Sequence, residues 1–217
     1  MPELNDLNFP DFPVQVAHEF EVDLNCVVAA NHRFALDAID RTEQDEIGRL
    51  QEELSDDSDT LSSALGHLAF EFEMLRQASR QLAMVGVITR LQHWIQTFVI
   101  VGDLDGRPQK CSDSKLVSQL EFLNNSLGCG PIETSVFENL VNIRDSIIHH
   151  DSQVKWNYNG KDKEIASDFT NHQGCLEIKE EQLEEAIRGS IRQITWYDEH
   201  LPQKAHLELL RRGRGSC

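Results

Sequence analysis

Two long stretches free of proline, each carrying apolar residues at helical spacing, constrain this chain more than any other feature. The first runs from Val14 to Leu54, with Val16, Phe20, Leu24, Val27 and Val28 along one face. It predicts one long helix, or two nearly collinear ones. The second runs from Thr60 to Val101, with Leu61, Leu65, Leu68, Phe72, Leu75 and Leu82 marking its face. It is expected to pair antiparallel with the first. The acidic SDDSD between them, with Asp56, Asp57 and Asp59, reads as a solvated turn that also supplies a helix cap.

The remainder of the chain is divided by its glycines and prolines. GDLDGRPQK, containing Pro108, is a loop, and Ser114 to Leu127 a third, shorter helix broken by NNSLGCGP. Pro131 suits the first turn of a fourth helix, along which Ile132, Val136, Leu140, Ile143 and Ile147 keep one face. After Asp151, Asn-Gly, Gly-Lys and Gln-Gly turn signals separate short segments of strand formers, predicting a small hairpin or loose strands. The helical period resumes from Lys179 through Leu183, Ala186, Ile187, Ile191, Ile194 and Trp196, until Pro202 ends it. The expected fold is mainly α: a helical bundle with two long antiparallel helices and a small strand or hairpin insertion before the last helix. Residues 1–13 form a leader, 14–200 a single helical domain, and 201–217 a basic, flexible tail with Arg211, Arg212 and Arg214.

Composition narrows the partners. A chain of 217 residues, 40% hydrophobic, buries one sizeable core. Its net charge of −17 repels polyanions on average, so RNA would be engaged only in a local site or with a partner that supplies positive charge. No DNA specificity is evident. Cys26, Cys111, Cys129, Cys175 and Cys217 lie far apart with no C-x-x-C pair, which favours reduced thiols over a zinc cage or a disulfide framework. MPELNDLNFPDFP lacks the basic start and apolar stretch of a signal peptide. Leu82 to Val101 is interrupted by Arg90, Gln92, His93 and Gln96, and reads as a buried or interface helix rather than a membrane span. A cytoplasmic protein is expected.

The segment richest in chemistry is VNIRDSIIHHD. Arg144 is followed by Asp145, then by Ser146 and the apolar pair Ile147 and Ile148, then by His149 and His150. The arginine and the first histidine are thus spaced Arg-x4-His, near the end of an internal helix. Each helical residue advances about 100°, which separates Arg144 and His149 by about 140° on an unbroken helix. Either the helix unwinds after Ile148, or a site using both residues is assembled across two chains. Asp145 and His149, spaced i, i+4, share one face, where the carboxylate could orient the imidazole. In a plainer reading, Arg144 pairs with a neighbouring acid and the two histidines interact with the helix C-terminus.

This segment, with a polar residue directly after the arginine, two long helices before it and a strand-like insertion and closing helix after it, resembles the HEPN superfamily of helical bundles. Its marker is Arg-x4-6-His, and the resemblance covers roughly residues 14 to 200. It implies a metal-independent endoribonuclease of toxin or defence type, with paired motifs meeting at a homodimer interface. His149 would then serve in acid/base or phosphate-contacting work, Arg144 in phosphate binding and transition-state charge, Asp145 in orientation and His150 as a helper. No metal and no cofactor are called for, since the ribose supplies the nucleophile. An antitoxin or other partner protein is implied for some members; in those neutralised by modification a tyrosine stands two residues after the histidine, where this chain has Asp151. The alternative is a non-catalytic module of the same kind that binds a partner protein, nucleotide or RNA.

Other residues carry weaker signals. Trp156 and Tyr158, beside Lys155, suit either base stacking or plain hairpin packing. Trp94 and Trp196 are expected in the core, and His18, His32, His67 and His93 at the surface or in hydrogen-bonded core positions.

Overall fold

The first helical stretch becomes three consecutive segments in the computed structural model, which describes residues 13–101, 115–128, 130–171 and 173–201. Helix α1 spans Pro13–Asp23, a π-helical segment spans Leu24–Ala29, and α2 spans Ala30–Glu53. Val16, Phe20, Leu24, Val28 and His32 are buried at every fourth position, with Ala17 buried beside Val16. On a pure α-helix four such steps drift by about 160°. The wider π turn absorbs part of that drift, so the spacing of four and the π segment explain one another. Val27, expected on the same face, is instead exposed.

Helix α3 is continuous over Ser58–Val101, α4 spans Leu116–Leu127, α5 spans Thr134–His149 and α6 spans Glu180–His200. Between α5 and α6, strands β1 (Lys155–Tyr158) and β2 (Lys161–Glu164) pair antiparallel, with Lys155 opposite Glu164 and Tyr158 opposite Lys161. Asn159 and Gly160 join them at φ 52° and 74°, the doubly left-handed two-residue turn that Asn-Gly favours. The mainly helical architecture, with long helices and a small hairpin before the last one, is as the sequence predicts. No described helix is long and apolar enough to cross a membrane. The loop 102–110, the leader before Pro13, the tail after Leu201, and Cys111, Cys129 and Cys217 lie outside the described residues. Cys26 and Cys175 are free and exposed.

The chain forms two compact units, each assembled from separated segments. The described parts of Met1–Leu24, Ile88–Val141 and Ile187–Cys217 form the first. Its core holds Phe20, Leu91, Ile95, Phe98, Leu120, Leu123, Phe137 and Tyr197. The Tyr197 hydroxyl donates to Asn124 Oδ1 at 2.7 Å, and the Ile132 amide donates to Gln193 Oε1 at 3.2 Å. Pro131 is a correction to the sequence reading. It lies in a bend before α5, whose first residue is Thr134, so the buried face begins at Phe137 rather than at Ile132 or the exposed Val136. Trp94 and Trp196 are half-buried rather than central; Trp94 meets Phe20 edge-on with ring centroids 5.8 Å apart.

Asn25–Val87 and Asn142–Ala186 form the second unit. Within it α2 and the first part of α3 run antiparallel, since His32 meets Ser79 while Asp40 and Glu43 meet Arg76. Asp57 caps α3, accepting from the Thr60 amide at 3.0 Å and the Thr60 hydroxyl at 2.7 Å. The expected face of this helix holds only in part. Phe72 is buried, but Leu75 and Leu82 are 50% and 70% exposed. Leu61, Leu68, Leu75 and Leu82 repeat every seven residues, and on a straight α-helix such a row drifts by about 20° per repeat. By Leu82 it has turned out to solvent, and Ala83, Met84 and Val87 take over the core.

Candidate functional site

The second unit contains every residue of the Arg-x4-His segment and its hairpin. Helix α5 carries Arg144 and Asp145 in its last two turns and reaches His149 without unwinding, which removes one of the two ways the pair could have met. On this continuous helix Arg144 and His149 point about 140° apart.

The Arg144 guanidinium is fixed by its sequence neighbour: Nε and Nη2 both donate to Asp145 Oδ1, at 3.0 and 2.7 Å. The arginine side chain is 20% exposed and the carboxylate 36%. Asp145 therefore positions Arg144, and among the described residues no hydrogen bond joins it to His149. His149 is exposed at the helix end, where an imidazole is well placed to interact with the free carbonyls.

The chain leaves α5 through a tight, left-handed turn, with Asp151 and Ser152 at φ 49° and 60°. Ser146 anchors that turn. Its carbonyl accepts from the amides of His150 and Ser152, both at 3.0 Å, and its hydroxyl donates to the Gln153 carbonyl at 2.6 Å. Ser152 also donates to Gln81 Oε1 on α3 at 3.3 Å. The sequence reading missed Ser146, though a serine three residues after Ile143, on the same buried helix face, is a signal that some polar group nearby needs a partner.

His150 leaves the helix axis and lies over Trp156 on β1, with ring centroids 5.1 Å apart and planes 24° from parallel. The indole face proposed for a base thus already carries an imidazole. Lys155 reaches across the hairpin to Glu164 at 2.7 Å, both exposed, and Tyr158 is half exposed at the far end of the strand. The structure thus gathers Arg144 with Asp145, and His149 and His150 with Trp156. Lys155 and Tyr158 sit further along the hairpin. No group of three or more His, Cys, Asp or Glu side chains among the described residues could hold a metal ion.

A second polar cluster in this unit was also not foreseen. His32, whose side chain is 3% exposed, shares hydrogen bonds with Ser79 Oγ at 2.8 Å and with Glu180 Oε2 at 3.1 Å. Arg80 Nε lies 3.7 Å from the same glutamate. His32 is the hydrogen-bonded core histidine of the set, while His18, His67 and His93 are exposed.

These features define a mainly helical chain with an Arg, Asp and His cluster at the end of an internal helix. Comparison with protein-family models, with curated proteins and with solved structures finds no match to the chain.

Proposed function

We propose that this chain is a metal-independent endoribonuclease of toxin or defence type, resembling the HEPN superfamily, that cleaves RNA by 2′-hydroxyl transesterification at a homodimer interface. The observation that carries the reading is the end of α5, where a guanidinium held by a carboxylate and an exposed imidazole share one helix two residues before a rigid turn. Cleavage requires removal of the proton from the ribose 2′-hydroxyl, attack of that oxygen on phosphorus, and delivery of a proton to the departing 5′-oxygen. A histidine suits either proton transfer, and an arginine fork suits the charged phosphorane.

In this reading each residue has a role. Asp145 holds Arg144 with Nε and Nη2 on one oxygen, which would fix the plane of the guanidinium that meets phosphate. Because Arg144 and His149 diverge by about 140° on one helix, a substrate reached by both is best served by two copies, each giving one residue. His150, stacked on Trp156, would steady the hairpin beside the proposed dimer interface.

Induced expression of wild type, Arg144→Ala and His149→Ala in cells, with growth followed and RNA 5′ ends mapped, tests the reading without a guess at the substrate. Arrest of growth and new 5′ ends from the wild type alone are expected. Identical behaviour of all three, at equal soluble levels, overturns it. That result would favour the second reading, a non-catalytic binding module, which the Arg144–Asp145 pair itself supports by giving the arginine a partner within the fold.

A further inference from the structure

Helix α3 carries a second apolar row whose large side chains are exposed among the described residues. Phe70, Met74, Ala78 and Leu82 follow one another at intervals of four, with Leu75 alongside, so they form a single ridge of the kind that seats between the ridges of another helix. Phe70 is 66% exposed, Met74 56%, Leu75 50% and Leu82 70%. From Phe70 to Leu82 the ridge is about 18 Å long. A row of large apolar side chains left together in water marks a place for a partner, unlike an isolated exposed leucine.

Charge identifies the occupant. Residues 30 to 82 contain twelve carboxylates, five arginines and no lysine. The two arginines of α3 beside the ridge turn away from it: Arg76 binds Asp40 and Glu43, Arg80 binds Glu73, and their side chains are only 21% and 18% exposed. On α2, Arg49 is held by Glu46 and Glu53. Glu71 stands exposed within the ridge, and Asp37, Asp45, Glu52, Asp56 and Asp59 are exposed on the same hairpin. An apolar ridge in a negative field complements a helix with one apolar face and lysines or arginines beside it. A second copy of this chain would bring two acidic hairpins together and is disfavoured by the same charges.

We propose that the ridge Phe70, Met74, Leu75, Ala78 and Leu82 is a docking surface for a cationic amphipathic helix of a partner protein. This surface is independent of the Arg144 and His149 reading and stands or falls without it.

The test uses the full-length chain and fluorescein-labelled synthetic peptides read by fluorescence anisotropy. One peptide is an amphipathic helix of leucines and lysines; a second has the same composition scrambled to destroy the apolar face; a third keeps the face with glutamates in place of lysines. The first is expected to bind at least tenfold more tightly than either other, and to weaken with salt. Phe70→Gln with Leu82→Gln should reduce that binding at least tenfold at an unchanged melting temperature, since both side chains are exposed. Glu71→Gln should weaken it less. Equal binding of the scrambled peptide would show a mere charge effect, and equal binding of the acidic one would remove the role of charge; either overturns the proposal. Sedimentation showing that wild type self-associates through the ridge, and that the double variant is a monomer, would overturn it in favour of a second copy.

Discussion

The hydroxyl of Ser146 donates to the carbonyl of Gln153 across 2.6 Å, closing the chain on itself immediately after His149 and His150. Ser146 is fully buried, so no water replaces the lost donor in Ser146→Ala. That variant is expected to lose about 1–3 kcal/mol in urea unfolding. Amide exchange at Ser152 and Gln153 should accelerate more than exchange within α2, because the effect begins in the turn.

Arg144→Lys tests the guanidinium fork. Lysine keeps the charge but cannot present two donors in a fixed plane to Asp145 Oδ1. Under the proposed function its RNA cleavage should fall roughly tenfold to a hundredfold with little change in melting temperature. Asp145→Asn, which keeps the shape but weakens the hold on Arg144, should fall less than Arg144→Ala. Equal activity of Asp145→Asn and wild type would mean that the pair has no part in cleavage.

His32 joins α2 to Ser79 of α3 and to Glu180 at the start of α6 from a buried position. His32→Leu leaves the serine hydroxyl without its imidazole and should cost about 1–3 kcal/mol. Glu180 is 44% exposed and can turn to water, so Glu180→Gln should cost less than about 1 kcal/mol. Thermal unfolding of both variants measures the difference.

Asp57 predicts a pH dependence confined to the start of α3. The amide of Thr60, and secondly its hydroxyl, stabilise the ionised carboxylate and hold its pKa below the ordinary aspartate range. A carboxylate whose pKa is depressed on folding contributes stability above its unfolded value and loses it as pH falls through the folded one. Exchange of the Thr60 and Leu61 amides should therefore accelerate as pH falls through that low range, beyond the intrinsic pH dependence of exchange. Asp57→Asn, which still caps but does not titrate, should remove that acid-dependent step.

Local chemistry explains what the sequence made legible. Asn159-Gly160 specified the hairpin because few other dipeptides accept two successive positive φ angles. The proline-free apolar runs gave α1 to α3, and SDDSD gave both the turn and its Asp57 cap. Where tertiary contacts decided, the pattern misled. Leu75 and Leu82 belong to a row that drifts off the buried face, and the bend at Pro131 is fixed by Gln193, which lies 61 residues beyond Ile132 along the chain. The candidate site was legible as a set of residues, and of its pairs only that of Arg144 with a neighbouring acid was foreseen. Spacing suggested Asp145 with His149, whereas the side chains join Asp145 to Arg144 and His150 to Trp156. Nothing in the local sequence of His32 announces Ser79 or Glu180, since both arrive from distant segments.

The π turn at Leu24–Ala29 also dictates how kindred sequences should line up with this one. A wider turn accommodates an extra residue without breaking the helix. A homologue that lacks it should place its counterparts of Val28 and His32 one position nearer to its counterpart of Leu24. Its buried positions would then follow the ordinary alternation of threes and fours, and a one-residue gap would fall between Leu24 and Ala29 when the two chains are aligned.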